Sequence, residues 1–419
     1  MRILLVEPQF PIPPKSRNHK DFFPIGLLKI ASYLRDSGTT VKLVRDGPRQ
    51  LEDLAELQRF SPDEVWITSL FTYWASFVRH STQLYKDLFP QAKVVVGGIY
   101  ASLVSKTDVK AYTGCDEVYQ GVMPEAETRL PAYDLLDGIN GHEVDYQVLH
   151  ASRGCPRKCA FCGTWKIEPQ FAPLKSIRDR VIRRKLVFYD NNFLMNPHVE
   201  QILEELAELR GENRLIWCES QSGFDGRVLL DRPQLAKLIR AAGFRYPRIA
   251  WDWKYDEFPR VEEQVRLLRE AGYPSRETYV FVLYNWDIPF EEMEKKRVKC
   301  WDWAVQIADC RYRPLDQLYD NYRAYQKGQT SSDYYIHEAG GWTDGLVKQF
   351  RRNVRRQNIC IRHGFPFYSR AFESKSIGGD IRRRVKDART REDKARLMRE
   401  LGADYWFPDG SPLDMSQRD

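Results

Sequence analysis

The chain has 419 residues, 42% hydrophobic and 29% charged, enough apolar content for two or three cored domains and too much for a disordered chain. Its eight cysteines are scattered, which excludes a disulfide scaffold and points to a reducing cytoplasm, and no run of about 20 apolar residues is present to span a membrane. The net charge of +7 is mild; residues 331–419 supply most of it, with 18 Lys and Arg against 13 Asp and Glu.

The first 125 residues alternate strand and helix signals. Ile3–Val6 reads as a buried strand and not a signal peptide, because its apolar run is short and meets Pro-rich sequence. Gly26–Leu34 has helical periodicity, and Val41–Arg45, Val65–Leu70, Val94–Val96 and Val118–Tyr119 read as further strands, with a helix through Phe77–Leu88. The pattern predicts a doubly wound parallel sheet that binds ligands at the carboxyl ends of its strands. Residues 126–149 form a connector broken by Pro131, Asp137-Gly138 and Gly141.

Tyr146–Ala151 then leads into Arg153-Gly-Cys-Pro-Arg-Lys-Cys-Ala-Phe-Cys-Gly-Thr-Trp165, in which Cys155, Cys159 and Cys162 stand in C-x3-C-x2-C spacing. Three thiolates this close can hold one soft metal centre. Structural zinc takes four ligands, often from two cysteine pairs, and no second pair exists here. A 4Fe–4S cluster held by three thiolates keeps one iron open for chemistry. The arrangement, with Phe161 before the last cysteine, resembles the radical SAM superfamily. There the open iron is chelated by the amine and carboxylate of S-adenosylmethionine.

The resemblance extends upstream. Pro24-Ile-Gly-Leu-Leu28 and Val96-Gly-Gly-Ile-Tyr-Ala101 are similar to the cobalamin-binding-type domain that precedes the barrel in one radical SAM class. This makes Gly97 and Gly98 candidates for a cobalamin-contacting loop, with Gln9–Phe23 at the corrin. The D-x-H-x-x-G motif that supplies a histidine to cobalt is absent. Members of the class that lack it either hold the corrin without that ligand or bind none.

Downstream, strands at Leu186–Phe193, Leu215–Gln221, Arg248–Asp252, Thr278–Tyr284 and Ile307–Cys310 alternate with helices at Val199–Leu209, Pro233–Ala242, Val261–Ala271 and Glu291–Ala304. With Tyr146–Ala151 these six units resemble the partial (β/α)6 radical SAM barrel, here over 150–330. The resemblance implies that Phe161 packs on adenine and that Asp190 and Asn191 meet the methionine ammonium. Ser220 and Gln221 would serve the carboxylate or ribose, and Asn285 a later ribose or adenine contact. For each, the alternative is a polar residue capping its own strand. Where the family's fourth strand often ends Gly-Ile-Glu, this chain has Ala250-Trp-Asp252, so Trp251 and Asp252 are candidate substrate residues.

Residues 331–419 read as a helical, basic extension. Tyr334–Trp342 is dense in aromatics, with His337 and Glu338, and the region Tyr334–Arg356 is expected either to cover one end of the barrel and meet substrate or to be a surface helix packed on the barrel's outside. Arg352, Arg355 and Arg356 fall near one helical face, and Arg382–Arg384 add a second basic run. These runs are either solvated surface or a site for a phosphate-bearing substrate or nucleic acid.

The expected architecture is thus α/β: a Rossmann-like cobalamin-binding-type domain, a partial barrel and a C-terminal helical extension. The resemblance implies reductive cleavage of S-adenosylmethionine and hydrogen abstraction from a small-molecule substrate, with electrons from a donor such as flavodoxin or ferredoxin. With cobalamin, methyl transfer to carbon follows; without it, rearrangement, oxidation or cyclisation. A rival of another class is a binding protein with a structural cluster.

Overall fold

The computed structural model of the chain describes residues 1–11, 22–45, 51–136, 145–322, 328–330 and 332–364, and beyond these only 368–369, 387, 390, 393 and 405–406. Most of the Pro-rich stretch between Gln9 and Phe23, the turn at Asp137-Gly138 with Gly141, the run Arg382–Arg384 and the tail from Pro408 lie outside the described residues.

Five parallel strands, β1 (Arg2–Glu7), β2 (Thr40–Arg45), β3 (Glu64–Ser69), β4 (Lys93–Gly98) and β5 (Glu117–Val118), stand in the order β2-β1-β3-β4-β5. Between them run α1 (Ile25–Asp36), α2 (Leu51–Phe60), α3 (Ala75–Leu88), α4 (Ile99–Leu103) and α5 (Lys106–Thr113). Strand β1 is apolar on both faces because both are covered. Leu4 and Val6 join a core with Val78 and Tyr85 of α3, while Ile3 and Leu5 join one with Leu27, Leu28 and Ala31 of α1. The order reverses beside β1, which opens the switch-point crevice at the carboxyl ends of these strands.

After α6 (Pro124–Glu127), β6 (Gln147–Leu149) runs into the cysteine loop. The antiparallel pair β7 (Ser152–Arg153) and β8 (Ala172–Pro173) brackets that loop, which holds the one-turn α7 (Thr164–Ile167). The chain continues through β9 (Lys185–Phe188), α8 (Val199–Gly211), β10 (Trp217–Ser220), α9 (Gly226–Asp231), α10 (Gln234–Ala241) and β11 (Arg248–Ala250). Then come α11 (Phe258–Glu270), β12 (Tyr279–Tyr284), α12 (Phe290–Asp302) and β13 (Gln306–Arg311). Strands β6-β9-β10 pair in parallel, as do β11-β12-β13, and the bridges Cys218–Phe244 and Phe224–Ile249 join the two sets. The result is six parallel strands in chain order, as expected of a partial barrel.

Alternation along these strands decides which face meets what. Leu186 and Phe188 pack with α8 residues such as Leu203 and Leu206. Val148, Val187 and Trp217 point the other way and share a core with Ile3, Leu5 and Leu27. The first sheet and α1 therefore close directly against the barrel strands.

Helix α13 (Asp344–His363) is capped by the Thr343 hydroxyl and ends at Gly364, whose φ of 68° suits a residue without Cβ. Val347, Phe350, Val354 and Ile361 are buried, while Arg352 and Arg355 lie on its solvent side. Asn358 of this helix accepts from Ile307 N at 2.9 Å and donates to Ile307 O at 2.8 Å, so its amide pairs the open edge of β13. A short antiparallel pair, β14 (Tyr368–Ser369) and β15 (Tyr405–Trp406), follows. Among the described residues no helix is long and apolar enough to cross a membrane.

Candidate cluster and cofactor site

The cysteine loop leaves the carboxyl end of β6, where a barrel places its chemistry. Gly154 sets its start. It has a φ of 72°, and a Cβ there would stand 2.2 Å from Gln170 O. Glu168 ties the two arms: its carboxylate accepts from Gly154 N at 2.6 Å, Arg153 Nη2 at 2.7 Å and Asn191 Nδ2 at 3.2 Å. Cys162 N donates to Cys159 O at 3.0 Å and closes the turn between the second and third cysteines, and Trp165 Nε1 donates to the same carbonyl at 3.1 Å.

Asp190, expected at the methionine ammonium, stands at the entry of the cysteine loop. It is fully buried and accepts from Ala151 N at 3.0 Å, from Ser152 N at 2.5 Å and from Ser152 Oγ at 2.7 Å. It therefore holds the entry of the cysteine loop. Burial pushes its carboxyl up to about 6 despite these donors.

Polar groups surround the sulfurs. Arg157 N and Asn192 Nδ2 donate toward Cys155 Sγ at 3.4 Å and 3.8 Å, and the Cys162 thiol donates to Thr164 Oγ1 at 3.3 Å. Burial, and next the Cys162 thiol beside it, push Cys159 up. Among the described residues no three His, Cys, Asp or Glu side chains stand at coordinating distances, the three loop thiols included. The donor chemistry nevertheless fits an iron–sulfur cluster, whose sulfur ligands are tuned by such bonds. Asn192 Oδ1 and Gln221 Oε1 are buried without a protein partner, which leaves two acceptors for a ligand beside the loop.

The remaining expected residues divide. Asn191 accepts from Thr164 Oγ1 at 3.1 Å and so touches the loop. Phe161 meets the rings of Trp253 at 6.1 Å and Trp286 at 6.3 Å, forming an aromatic wall. Ser220 caps its own turn by donating to Gly223 O at 3.0 Å. Asn285 is buried at a φ of 58°, donates to Tyr312 O and Tyr335 O, each at 3.2 Å, and accepts from His337 N at 2.9 Å. Both serve the backbone because a strand end leaves its own peptide groups to be satisfied. Trp251 is buried in packing, its ring 5.5 Å from that of Trp303 and its N–H on Lys254 O.

Asp252 faces inward and burial pushes it up to about 6, opposed by the Lys296 and Arg227 charges. Lys296 is itself fully buried and donates to the carbonyls of Trp251 and Trp253, which frames Asp252 between them.

The C-terminal segment reaches the same mouth. The His337 ring stacks on Trp286 at 5.5 Å, its Nδ1 is 2.8 Å from Tyr335 Oη, and its Nε2 is 2.7 Å from Asp287 Oδ1. Trp342 Nε1 donates to Trp286 O at 2.9 Å and Ile288 O at 3.0 Å. Glu338 is exposed.

On the first sheet Gly98 has a φ of 96°, and a Cβ there would lie 2.3 Å from Ser69 O. Its need for glycine is met by this close approach of β4 to β3. Gly97 keeps the neighbouring strand end free of a side chain.

Asn192, Asp225, Arg227, Trp286, Asp287 and Lys296 are site residues that the sequence reading does not single out. Asn192 continues the polar run after β9 and Asp225 sits at a helix N-cap, both legible signals. Lys296 lies inside a helix pattern and carries no signal.

These features define an architecture of two α/β parts: a cysteine loop at the end of the first barrel strand, joined to a Rossmann-like domain. The B12 binding domain family matches residues 18–133. The anaerobic magnesium-protoporphyrin IX monomethyl ester cyclase of Cereibacter sphaeroides is 22% identical, over 85% of this chain and 69% of the relative. The cobalamin-dependent S-adenosylmethionine radical enzyme OxsB aligns in its apo form with a TM-score of 0.52 at 14% identity, covering 84% of this chain and 56% of that one. Its aqua-cobalamin complex aligns with a TM-score of 0.51 at 15% identity, over 74% and 53%. The chain thus spans little more than half the length of these solved structures. By fold, the chain resembles the cobalamin-dependent radical enzyme, and its first domain matches the B12 binding domain family.

Proposed function

We propose that the chain is a cobalamin-dependent radical SAM enzyme acting on a small molecule. The observation that carries this is the cysteine loop, whose three thiols and the N–H donors beside Cys155 sit at the end of β6 in a chain that also has the B12-binding-type sheet. Cys155, Cys159 and Cys162 would hold a 4Fe–4S cluster. Such a cluster would supply an electron for reductive cleavage of S-adenosylmethionine, the chemistry that would start hydrogen abstraction from substrate. The chain's share is to bind, orient and exclude water. Phe161 would offer a ring to adenine, and Asn191, Asn192 and Gln221 would offer amides to the polar end of the cosubstrate. Gly97 would let a corrin approach the β4 edge.

For the reaction we favour methyl transfer to carbon, since the domain match is to a B12-binding family. The second reading is ring closure, favoured by the likeness to a cyclase over most of the chain. Anaerobic reconstitution should load about four iron and four sulfide per chain, and replacing all three cysteines with Ala should abolish this. Methyl-labelled S-adenosylmethionine then separates the reactions: label in product supports transfer, and unlabelled cyclised product supports closure. A triple variant that keeps a full cluster overturns the assignment.

A further inference from the structure

Asp225 is the most connected carboxylate near the cysteine loop. It follows β10 in the next loop and caps α9, accepting from Arg227 N at 3.3 Å. Its Oδ1 accepts from Arg227 Nε at 2.8 Å, and its Oδ2 accepts from Arg227 Nη2 at 3.0 Å, Arg157 Nε at 3.0 Å and Asn192 Nδ2 at 3.3 Å. The side chain is only 5% exposed, so the interactions act with little screening by water. Two of its partners also touch the cluster ligands: Arg157 N and Asn192 Nδ2 both point to Cys155 Sγ. Arg157 lies inside the cysteine loop itself, between the first and second thiols. Arg227 lies close enough to Cys159 for their charges to interact.

We propose that Asp225 is a positioning residue for the cluster: it anchors the cysteine loop to the third barrel loop through Arg157, and it balances the guanidinium groups of Arg157, within that loop, and of Arg227, near Cys159. This rests on the cluster assignment above. Three thiolates round a 4Fe–4S core make an anion, and reduction adds a further negative charge. Arginines alongside favour the reduced form and a carboxylate opposes it. The bracket therefore sets how readily the cluster accepts the electron that starts the chemistry.

The test uses the full chain, reconstituted anaerobically, with iron counted and the reduction potential followed by electron paramagnetic resonance. Asn at 225 can still cap α9 and keeps the shape of the side chain. Asp225→Asn should keep iron and raise the potential, because Arg157 and Arg227 lose their counter-charge. Arg157→Gln should lower it. Opposite shifts are what a purely structural role would not produce. Wild-type potentials in both variants, or shifts in the same direction, overturn the proposal. If Asp225→Asn fails to fold, Arg157→Gln decides alone: a downward shift supports the bracket and an unchanged potential overturns it. A wild-type chain that holds no cluster counts against the functional assignment instead.

Discussion

At the scale of single residues, buried carboxylates divide the labour round the loop. Asp190 orders its entry and Asp225 its middle, and each is fixed by N–H and O–H groups rather than left open for ligand. Removing the Asp190 charge should therefore disturb the loop first. Asp190→Asn presents an amide to the Ser152 N–H, and a lost charged hydrogen bond of this kind costs about 1.5–3 kcal/mol. We expect reduced iron loading, measured as iron per chain after reconstitution; full iron with weakened S-adenosylmethionine binding would return Asp190 to the ligand role. The same variant has a signature in stability. The carboxyl titrates near 6 when folded against an ordinary 3.8, so between these values the folded protein holds a proton that the unfolded chain has lost. Its contribution to stability then falls as pH rises from about 4 to about 6, by about 3 kcal/mol in all, and is flat above. Asp190→Asn should lack that slope in melting temperature.

At the scale of elements, the cysteine loop is a backbone construction. The thiols are placed by a left-handed glycine, a bracketing strand pair and the Glu168 tie, not by packing of their own side chains. Gly154→Ala should be severe, because it combines a disfavoured φ with a Cβ only 2.2 Å from a carbonyl oxygen that cannot rotate away. The expected result is an otherwise folded protein with little or no cluster, read by far-ultraviolet dichroism and iron content. Wild-type iron in this variant would show that the loop tolerates rearrangement.

At the scale of the whole molecule, the mouth of the barrel is walled by parts distant in the chain. Phe161 from the cysteine loop, Trp253 after β11, Trp286 after β12 and His337 from the C-terminal segment form one aromatic succession. This supports a cover over the site, which radical chemistry needs because water or stray C–H bonds quench the intermediate. Exchanging His337 and Glu338 together for Ala should lower substrate turnover while uncoupled cleavage of S-adenosylmethionine persists or rises. Deoxyadenosine formed per product measures this, and an unchanged ratio in a cluster-loaded variant would leave the segment as scaffold.

The cysteine spacing, the strand–helix alternation and the glycines at strand ends were legible in the chain itself, because local periodicity and local turn geometry depend on residues close in sequence. That is why the two-part α/β architecture and the cysteine loop after the first barrel strand could be read directly. The roles of the strand-end polar residues could not. A polar residue after a strand looks the same whether it faces ligand or backbone, and only the neighbouring loops decide. Asn285 and Ser220 satisfy peptide groups, Asp190 holds the loop entry, and Asn191 touches the loop. Lys296, buried over the Trp251 and Trp253 carbonyls, and Asp225, joined to an arginine 68 residues away, exist as site residues only once the barrel has closed. Contacts of that separation are set by how strands stack side by side, which no local pattern records.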